Sequence, residues 1–565
     1  MTQLELELPV ESGDDDDFGP MSAFAENQMN NKYSWKDEDG NPIETWFDIA
    51  ERVVFHVMGA LGYGPGDEEY EKILSLVKAR QFMPGGRYLY ASGRGLHQTQ
   101  NCLLMKVDDS REGWADLMHN AGMALMTGAG IGIDYSDVRP AGTPIKKTGG
   151  EASGPISLMK IINEIGRNVM QGGSRRSAIW AGINWKHNDI GDFIRLKDWS
   201  PEDRARKALD YNFPCVMDMT NISVILDDEF FEAYEDSTHP LHSHALNIYW
   251  KTIEKMVVTG EPGFSIDVGE NAGETLRNAC TEVSSRTDSD ICNLGSINMS
   301  RIKTIEAFRE AVEYGTLFLL AGTMYSDVPY PKVDEIRTQN RRLGLGVMGV
   351  HEWLLQRGKQ YGPDTELGVW LEEYARSGEY AEHYALMHGI SIPVKTRAIA
   401  PTGTIGIVAE TTTGIEPIYA VAYKRRYKIA HTSGDDKTEY MMVIDPTAKR
   451  LVDQGIDPVT IEDAYKLSYD VERRVAFQAW MQQYVDHGIS STINLPCPLT
   501  EMRDQEDFGT MLYRYLPKLR GITCYPDGAR DGQPLSVVPY HVALESEGVV
   551  FEEEAERCVG GVCGS

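Results

Sequence analysis

"NACTEVSSRTDSDICNLGSIN", residues 278–298, sets Cys280 and Cys292 twelve positions apart, with a carboxylate, Glu282, two residues beyond the first. The remainder of the stretch is largely small and polar, so no apolar pattern explains either thiol. Cysteine is used sparingly throughout: eight in 565 residues, at 102, 215, 280, 292, 497, 524, 558 and 563, in no dense framework. In a reducing compartment such thiols carry chemistry or are simply buried; they seldom staple a fold. The leader MTQLELELPVESGDDDD lacks the basic and apolar blocks of a signal peptide, and no apolar run approaches 18 residues. The expectation is a cytoplasmic protein with no membrane association. A net charge of −30 argues against a nucleic-acid partner, because backbone binding needs a basic stripe to displace counterions. It does not exclude small anions held in a local pocket.

Outward from this stretch the chain divides by composition. Residues 1–30 read as an acidic disordered tail. Residues 31–120 read as mainly helical: "ETWFDIAERVVFHVMGAL" and "DEEYEKILSLVKARQF" both space their apolar residues on one helical face. From 121 to 545, helical segments such as "GPISLMKIINEIGRNVMQGG" alternate with short apolar runs such as "GTIGIVAE" and "SSTINLP". That alternation predicts an α/β fold built from βα units around a mainly parallel sheet or barrel. Residues 546–565 read as a flexible tail ending on Cys558-x4-Cys563 among glycines. Those two thiols have little chance of entering a core. They read either as half of a metal site or as a mobile dithiol that exchanges with an interior disulfide.

Three glycine-rich segments are candidate anion sites. "APTGTIGIVAETTTGIEP", 400–417, offers backbone N–H groups from Thr402, Gly403, Thr404 and Ile405, without the lysine of a Walker loop. "GAGIGIDYSDVRPAGTPIKKTGGEASGP", 128–155, reads as a long loop with Arg139, Lys146 and Lys147. "QGGSRRSA", 171–178, adds Arg175 and Arg176.

Taken in order, "MPGGRYL", "QNCLL", "GAGIGI", "QGGSRRSA", the N-x-C-x-E segment, "CNLGSIN", "APTGTI" with "GIEP", "SSTINLP", "GITCYPDGARDGQPL" and a terminal cysteine pair resemble the catalytic chain of a ribonucleotide reductase. The resemblance runs from about residue 80 to 565 and is strongest to class II, the adenosylcobalamin-dependent reductases. It implies a ten-stranded α/β barrel of two five-stranded halves, with a central finger loop carrying the thiyl cysteine.

The resemblance also implies roles. Cys280 matches the thiyl position, Glu282 the carboxylate that takes the 3′-OH proton and Asn278 the amide that orients substrate. Cys102 and Cys292 match the pair that supplies two electrons and ends as a disulfide. Cys558 and Cys563 match the shuttle that re-reduces it and is itself regenerated by a thioredoxin-like partner. Thr402, Gly403, Thr404 and Ile405 would hold the substrate phosphates, with Gly86 and Asn101 near the nucleoside. A nucleoside triphosphate or dNTP effector would bind near a homodimer interface, touching Asp109, Arg139, Lys146, Arg175 and Arg176. No metal ligand set is implied. An extended finger would project residues 278, 280 and 282 to one side.

The sequence departs from the family pattern at two places. Ala279 and Thr281 stand where proline and glycine usually flank the thiyl cysteine, so the finger tip is expected to differ in shape. Only about 50 residues lie between the acidic tail and "FMPGG", too few for a full ATP-binding cone. Class I relatives receive their radical from a separate metal-containing subunit through two adjacent tyrosines; the matching place here reads Thr523-Cys524-Tyr525, which favours cobalamin. Outside the enzymes, the alternative is a nucleotide-binding regulator that keeps the fold without the chemistry. The presence of all four of Cys102, Cys280, Glu282 and Cys292 speaks against it.

Overall fold

Many inward positions of the central strands are small, among them Gly130, Gly132, Gly182, Ser223, Gly263 and Ser265, and this helps make room for the site. The computed structural model describes residues 21–146, 149–169, 177–210, 213–428, 438–527 and 535–552. In chain order the strands are β1 (Phe82–Pro84), β2 (Cys102–Lys106), β3 (Gly130–Asp134), β4 (Ile179–Asn184), β5 (Thr220–Asp227), β6 (Gly263–Asp267), β7 (Leu276–Arg277), β8 (Ser284–Ser285), β9 (Asp290–Asn298) and β10 (Leu343–Met348). Then come β11 (Ala422–Lys428), β12 (Thr438–Ile444), β13 (Thr492–Leu495), β14 (Gly521–Pro526), β15 (Leu535–Val537) and β16 (Val550–Glu552).

A ten-stranded sheet runs β1-β9-β2-β3-β4-β5-β6-β14-β13, with β10 also on β9. β2 to β6 are mutually parallel. β9 with β10 and β13 with β14 are parallel pairs, and both meet the first half antiparallel. Residues 395–399 bridge the ends: Leu345 pairs with Arg397 and Ile399 with Ile489, both parallel. The second half is thus completed by an irregular stretch rather than a regular strand, while β1 adds an antiparallel strand on β9. β11, β12, β15 and β16 form a separate four-stranded sheet.

Strand alternation sorts side chains between two surfaces. Outward residues Leu103, Ile131, Ile133, Ile179, Ile183, Val224, Phe264 and Ile266 join one core with the helices Arg111–Thr127, Gly154–Asn168 and His242–Thr259. A second core packs β9 and β10 against the helices Trp46–Gly59, Glu68–Lys78 and Ile305–Tyr325. Inside lies a small cluster of Cys102, Leu104, Leu276, Val283, Cys292 and Ala398.

Several expectations are corrected here. Within "GAGIGID", Gly130–Asp134 is strand rather than loop: Ile131 and Ile133 face the outer core, while Gly130, Gly132 and Asp134 alternate to the inner face. "GTIGIVAE" is a short helix, Gly403–Ala409, not a strand. Its apolar residues Ile405, Val408 and Ala409 fall at helical spacing and join the second core. The helix Ala23–Lys32 begins within the expected disordered tail, capped by Ser22 and burying Ala25 and Met29. The ten-stranded sheet draws β1 and β2 from the segment before residue 121, and the four-stranded sheet draws β16 from the segment after 545.

Candidate active site

The finger is a hairpin, β7 paired antiparallel with β8, pushed into the interior of the sheet. Gly132 is what admits it: a Cβ there would overlap the carbonyl of Arg277, and one at Gly130 would lie 3.1 Å from the Ala279 side chain. Glycine inside a strand marks such a close backbone approach. At the tip the chain turns rather than running extended. The Thr281 N–H donates to the Asn278 carbonyl at 3.0 Å, and Thr281 takes φ +68. That left-handed conformation is strained for a β-branched residue and free for glycine. The extended projection of residues 278, 280 and 282 is therefore corrected: Asn278 and Glu282 meet across a turn.

They meet directly. The Asn278 Nδ2 donates to Glu282 Oε1 at 2.9 Å, and its Oδ1 accepts from the Val283 N–H at 3.0 Å. Asn278 and Glu282 are buried, whereas Cys280 is exposed at the tip. Glu282 Oε2 is buried with no hydrogen-bond partner. With one amide donor and no cation against it, burial pushes the carboxyl up to about 7.

Beneath the tip, Cys102 and Cys292 are paired residues in the β2–β9 ladder. Directly opposed antiparallel residues stand about 4.5–5.5 Å apart at Cα, within disulfide range. All six described cysteines are thiols. Burial raises both Cys102 and Cys292 well above the ordinary thiol value, with Glu282 adding to each. Cys102 lies within electrostatic reach of Cys280, Cys292 and Glu282, with the Asn278 side chain beside it. Sequence reading thus named five residues that converge on one point.

The finger tip is tied to the glycine-rich loop through two backbone hydrogen bonds. Gly488 N–H donates to the Glu282 carbonyl at 2.7 Å, and Ile399 N–H donates to the Gly488 carbonyl at 3.2 Å. Three residues further on, Thr402 takes a left-handed φ of +49 and opens the helix Gly403–Ala409. The first N–H groups of a helix have no partner within it, so those of Gly403, Thr404 and Ile405 are presented together. The Thr402 hydroxyl accepts from Gly414 N–H at 2.8 Å, fixing the turn. Gly86 starts the helix Gly86–Ala91, and the Asn101 carbonyl accepts from Gly130 N–H at 2.8 Å.

Away from this point, the Arg139 guanidinium binds the Asp109 carboxylate at 2.6 Å and its carbonyl at 3.1 Å. Lys146 is exposed. Lys147, Arg175, Arg176, Cys558 and Cys563 lie outside the described residues. Cys524 is buried in the outer core and burial pushes its thiol up to about 12. On the opposite face of β14, Gly521 stands toward Thr281, and Tyr525 shares that face by alternation.

Sequence reading missed the root of the finger, where buried Glu274, Arg277 and Arg520 meet half-buried Lys395 and the buried, neutral imidazole of His487. These residues are scattered from 274 to 520 in unremarkable contexts.

The sequence profile of the ribonucleotide reductase barrel domain matches residues 100–256, 242–369 and 388–525. The chain is 27% identical to a vitamin B12-dependent ribonucleoside-diphosphate reductase of Mycobacterium tuberculosis, over 96% of this chain and 82% of that protein. It is 28% identical to the protein of the same name from Thermoplasma acidophilum, over 94% and 74%. A putative adenosylcobalamin-dependent ribonucleoside-triphosphate reductase of Mycobacterium phage D29 is 27% identical, over 81% and 75%. A profile that covers most of the chain, and whose segments carry the finger, both interior cysteines and the glycine-rich loop, settles its kinship: the chain belongs to the ribonucleotide reductase family.

Proposed function

We propose that this chain reduces ribonucleotides to 2′-deoxyribonucleotides through a thiyl radical on Cys280, with adenosylcobalamin as its cofactor. The observation that carries the reading is the layering at the tip: an exposed sulfur above a buried carboxyl, with two facing thiols below. The relatives' names support the reaction and the cofactor. No helix among the described residues is long and apolar enough to cross a membrane.

Loss of a ribose 2′-OH requires a radical at C3′, a proton for the departing hydroxyl and two electrons. The Cys280 sulfur removes the 3′-hydrogen and later returns one, since S–H and activated C–H bonds have comparable strengths. Glu282 accepts the 3′-OH proton; a carboxyl poised near 7 can both take and return it. Cys102 and Cys292, fully protonated at neutral pH, supply the proton that lets the 2′-oxygen leave as water and the electrons that reduce C2′. They finish as a disulfide. Thr402 to Ile405 hold the phosphates, and Gly86 and Asn101 border the nucleoside.

Adenosylcobalamin supplies, when bound, the hydrogen-abstracting radical that oxidises the Cys280 thiol. The exposure of Cys280 amid buried neighbours fits a bulky group approaching from the mouth of the sheet. Asn221, exposed and 3.4 Å from the Ala279 carbonyl, together with Thr281 and Tyr525, would face that group. A relay through adjacent phenols of β14 is disfavoured, because Cys524 points into the outer core.

Cys558 and Cys563 then re-reduce the interior pair and exchange with a thioredoxin-like partner. Asp109, Arg139, Lys146, Arg175 and Arg176 hold the nucleoside triphosphate or dNTP effector at a homodimer interface. The Arg139–Asp109 ion pair would open to admit its sugar and phosphates. The test is turnover of a ribonucleotide with a dithiol, with and without adenosylcobalamin and with no second protein. Deoxynucleotide should form only with the cofactor, and Cys280→Ala should form none. Activity that appears only when a separate radical-generating subunit is added would overturn the cofactor assignment.

A further inference from the structure

The finger hairpin is anchored at its root by a cluster unlike anything at its tip. Glu274, just before β7, is buried, and its Oε2 accepts from Lys395 Nζ at 2.6 Å, from Arg520 at 2.9 Å and from the Ser284 hydroxyl at 2.8 Å. These donors come from three places: the bridging stretch 395–399, the residue before β14, and the returning finger strand β8. Lys395 Nζ reaches further, to Asn271 Oδ1 at 2.8 Å and the Asp486 carbonyl at 2.7 Å.

The contact with Asp486 matters because the next two residues, His487 and Gly488, both grip the finger. His487, fully buried, accepts the Ser284 N–H on Nδ1 at 3.2 Å, so its neutral tautomer carries the proton on Nε2. Burial among Arg277, Arg342, Lys395 and Arg520 keeps it neutral. Gly488 then donates to the Glu282 carbonyl, and a Cβ there would crowd the carbonyls of both Thr281 and Glu282 at 3.2 Å. One ammonium group therefore ties the outgoing finger strand, through Glu274, to the segment that holds both the returning strand and the tip.

We propose that Lys395 and Glu274 are positioning residues that fix how far the finger enters the sheet, and so set Cys280 and Glu282 against the substrate and Cys102. This rests on the reductase reading for its kinetic part only. The geometric part concerns where the hairpin stands over Cys102, whatever the reaction. Misplacing a reacting group by about 1 Å can cost about 10²-fold in rate. A cluster that joins three segments at one carboxylate oxygen holds such a position better than backbone pairing of a two-residue ladder.

The test compares Lys395→Met and Lys395→Arg with the unaltered chain. First, alkylation of the purified chain without nucleotide or cofactor is followed by peptide mass spectrometry. Lys395→Met should speed modification of Cys102, which lies under the tip, by about tenfold or more, while Cys524 in the outer core stays as protected as before. Second, with substrate and cofactor, kcat should fall by about 10²-fold with the nucleotide KM within about twofold. Lys395→Arg, which keeps the charge, should restore most of both. Ser284→Ala, which removes one small donor, should shift both readouts in the same direction by less, and serves if Lys395→Met does not fold. Protection of Cys102 equal to the unaltered chain, or Cys102 and Cys524 opening together, would overturn the proposal. An unaltered chain without reductase activity would sink the proposed function, but the alkylation result would still decide where the finger is held.

Discussion

Two buried glutamates eight residues apart on the same hairpin have opposite electrostatics. Glu274 at the root is surrounded by Lys395, Arg520 and Ser284, and these partners hold its carboxyl below the usual range despite burial. Glu282 at the tip has one neutral donor, Asn278, and burial carries it up to about 7. Burial alone would push both upward; the partners decide. A carboxylate surrounded by donors is a fixed anion that clamps structure. A carboxyl with one donor and an unpartnered oxygen can change protonation state during a reaction. The hairpin therefore separates holding from chemistry along its length.

Glu282→Gln should show the largest effect. It keeps the acceptor for Asn278 and removes the proton transfer, so kcat should fall by about 10²–10⁴-fold. In the unaltered enzyme kcat should decline about tenfold per unit below pH 7, where the base becomes protonated, and Glu282→Gln should lose that limb. The stability effect runs the other way. A carboxyl whose folded value lies above its unfolded one stabilises fully below about pH 4.5, and that contribution is lost as pH rises through 7. The ionisation cost amounts to about 3 kcal/mol. Denaturant unfolding at pH 8 should find Glu282→Gln the more stable protein, with the difference vanishing near pH 4.5.

Glu274→Leu inverts this pattern. It strips three donors of a buried partner, and loss of one member of a buried ion cluster costs about 3–5 kcal/mol. At pH 8 it should unfold at markedly lower denaturant than the unaltered chain. If both glutamate variants shifted stability the same way at pH 8, the contrast would collapse.

Gly132→Ala sharpens the geometry rather than the charge. Its Cβ would collide with the Arg277 carbonyl, a backbone atom that cannot swing aside, and overpacking of this kind costs about 1–3 kcal/mol. Calorimetry should show a lower Tm, and kcat should fall along with it because the finger must retreat. The smallest effect is expected at Cys524→Ala. The thiol is an outward core residue, so Tm should drop slightly and kcat should stay within about twofold. A severe loss of turnover there would reopen a radical route along β14.

Much of this is legible in the sequence alone. Residues that carry the chemistry sit in short contiguous blocks, and Cys280, Glu282, Asn278 and the Cys102–Cys292 pair, all identifiable there, converge in space. What local pattern could not convey is the role of the glycines. "GAGIGID" reads equally well as a loop or as a strand, and only the finger crossing Gly132 tells them apart. The run "GTIGIVAE" misleads for a related reason: seven small or apolar residues before Glu410 satisfy strand and helix alike, and the left-handed Thr402 that starts the helix leaves no mark on composition. The tip turn escapes sequence reading because an N-x-C-x-E spacing suits an extended strand, and Thr281 adopts a conformation its residue type disfavours. Lys395, His487 and Arg520 are invisible there because they act on a hairpin more than a hundred residues away in sequence.

The source of the two electrons is central to the proposed reaction, and one measurement addresses it directly. The chain with both Cys558→Ser and Cys563→Ser is fully reduced, freed of external thiol, and given one ribonucleotide and adenosylcobalamin. Product is counted per chain, and the disulfides formed are mapped by mass spectrometry. The expected result is about one deoxynucleotide per chain, with a single new disulfide joining Cys102 to Cys292. Product formed while Cys102 and Cys292 remain thiols would contradict it, as would repeated turnover without added reductant.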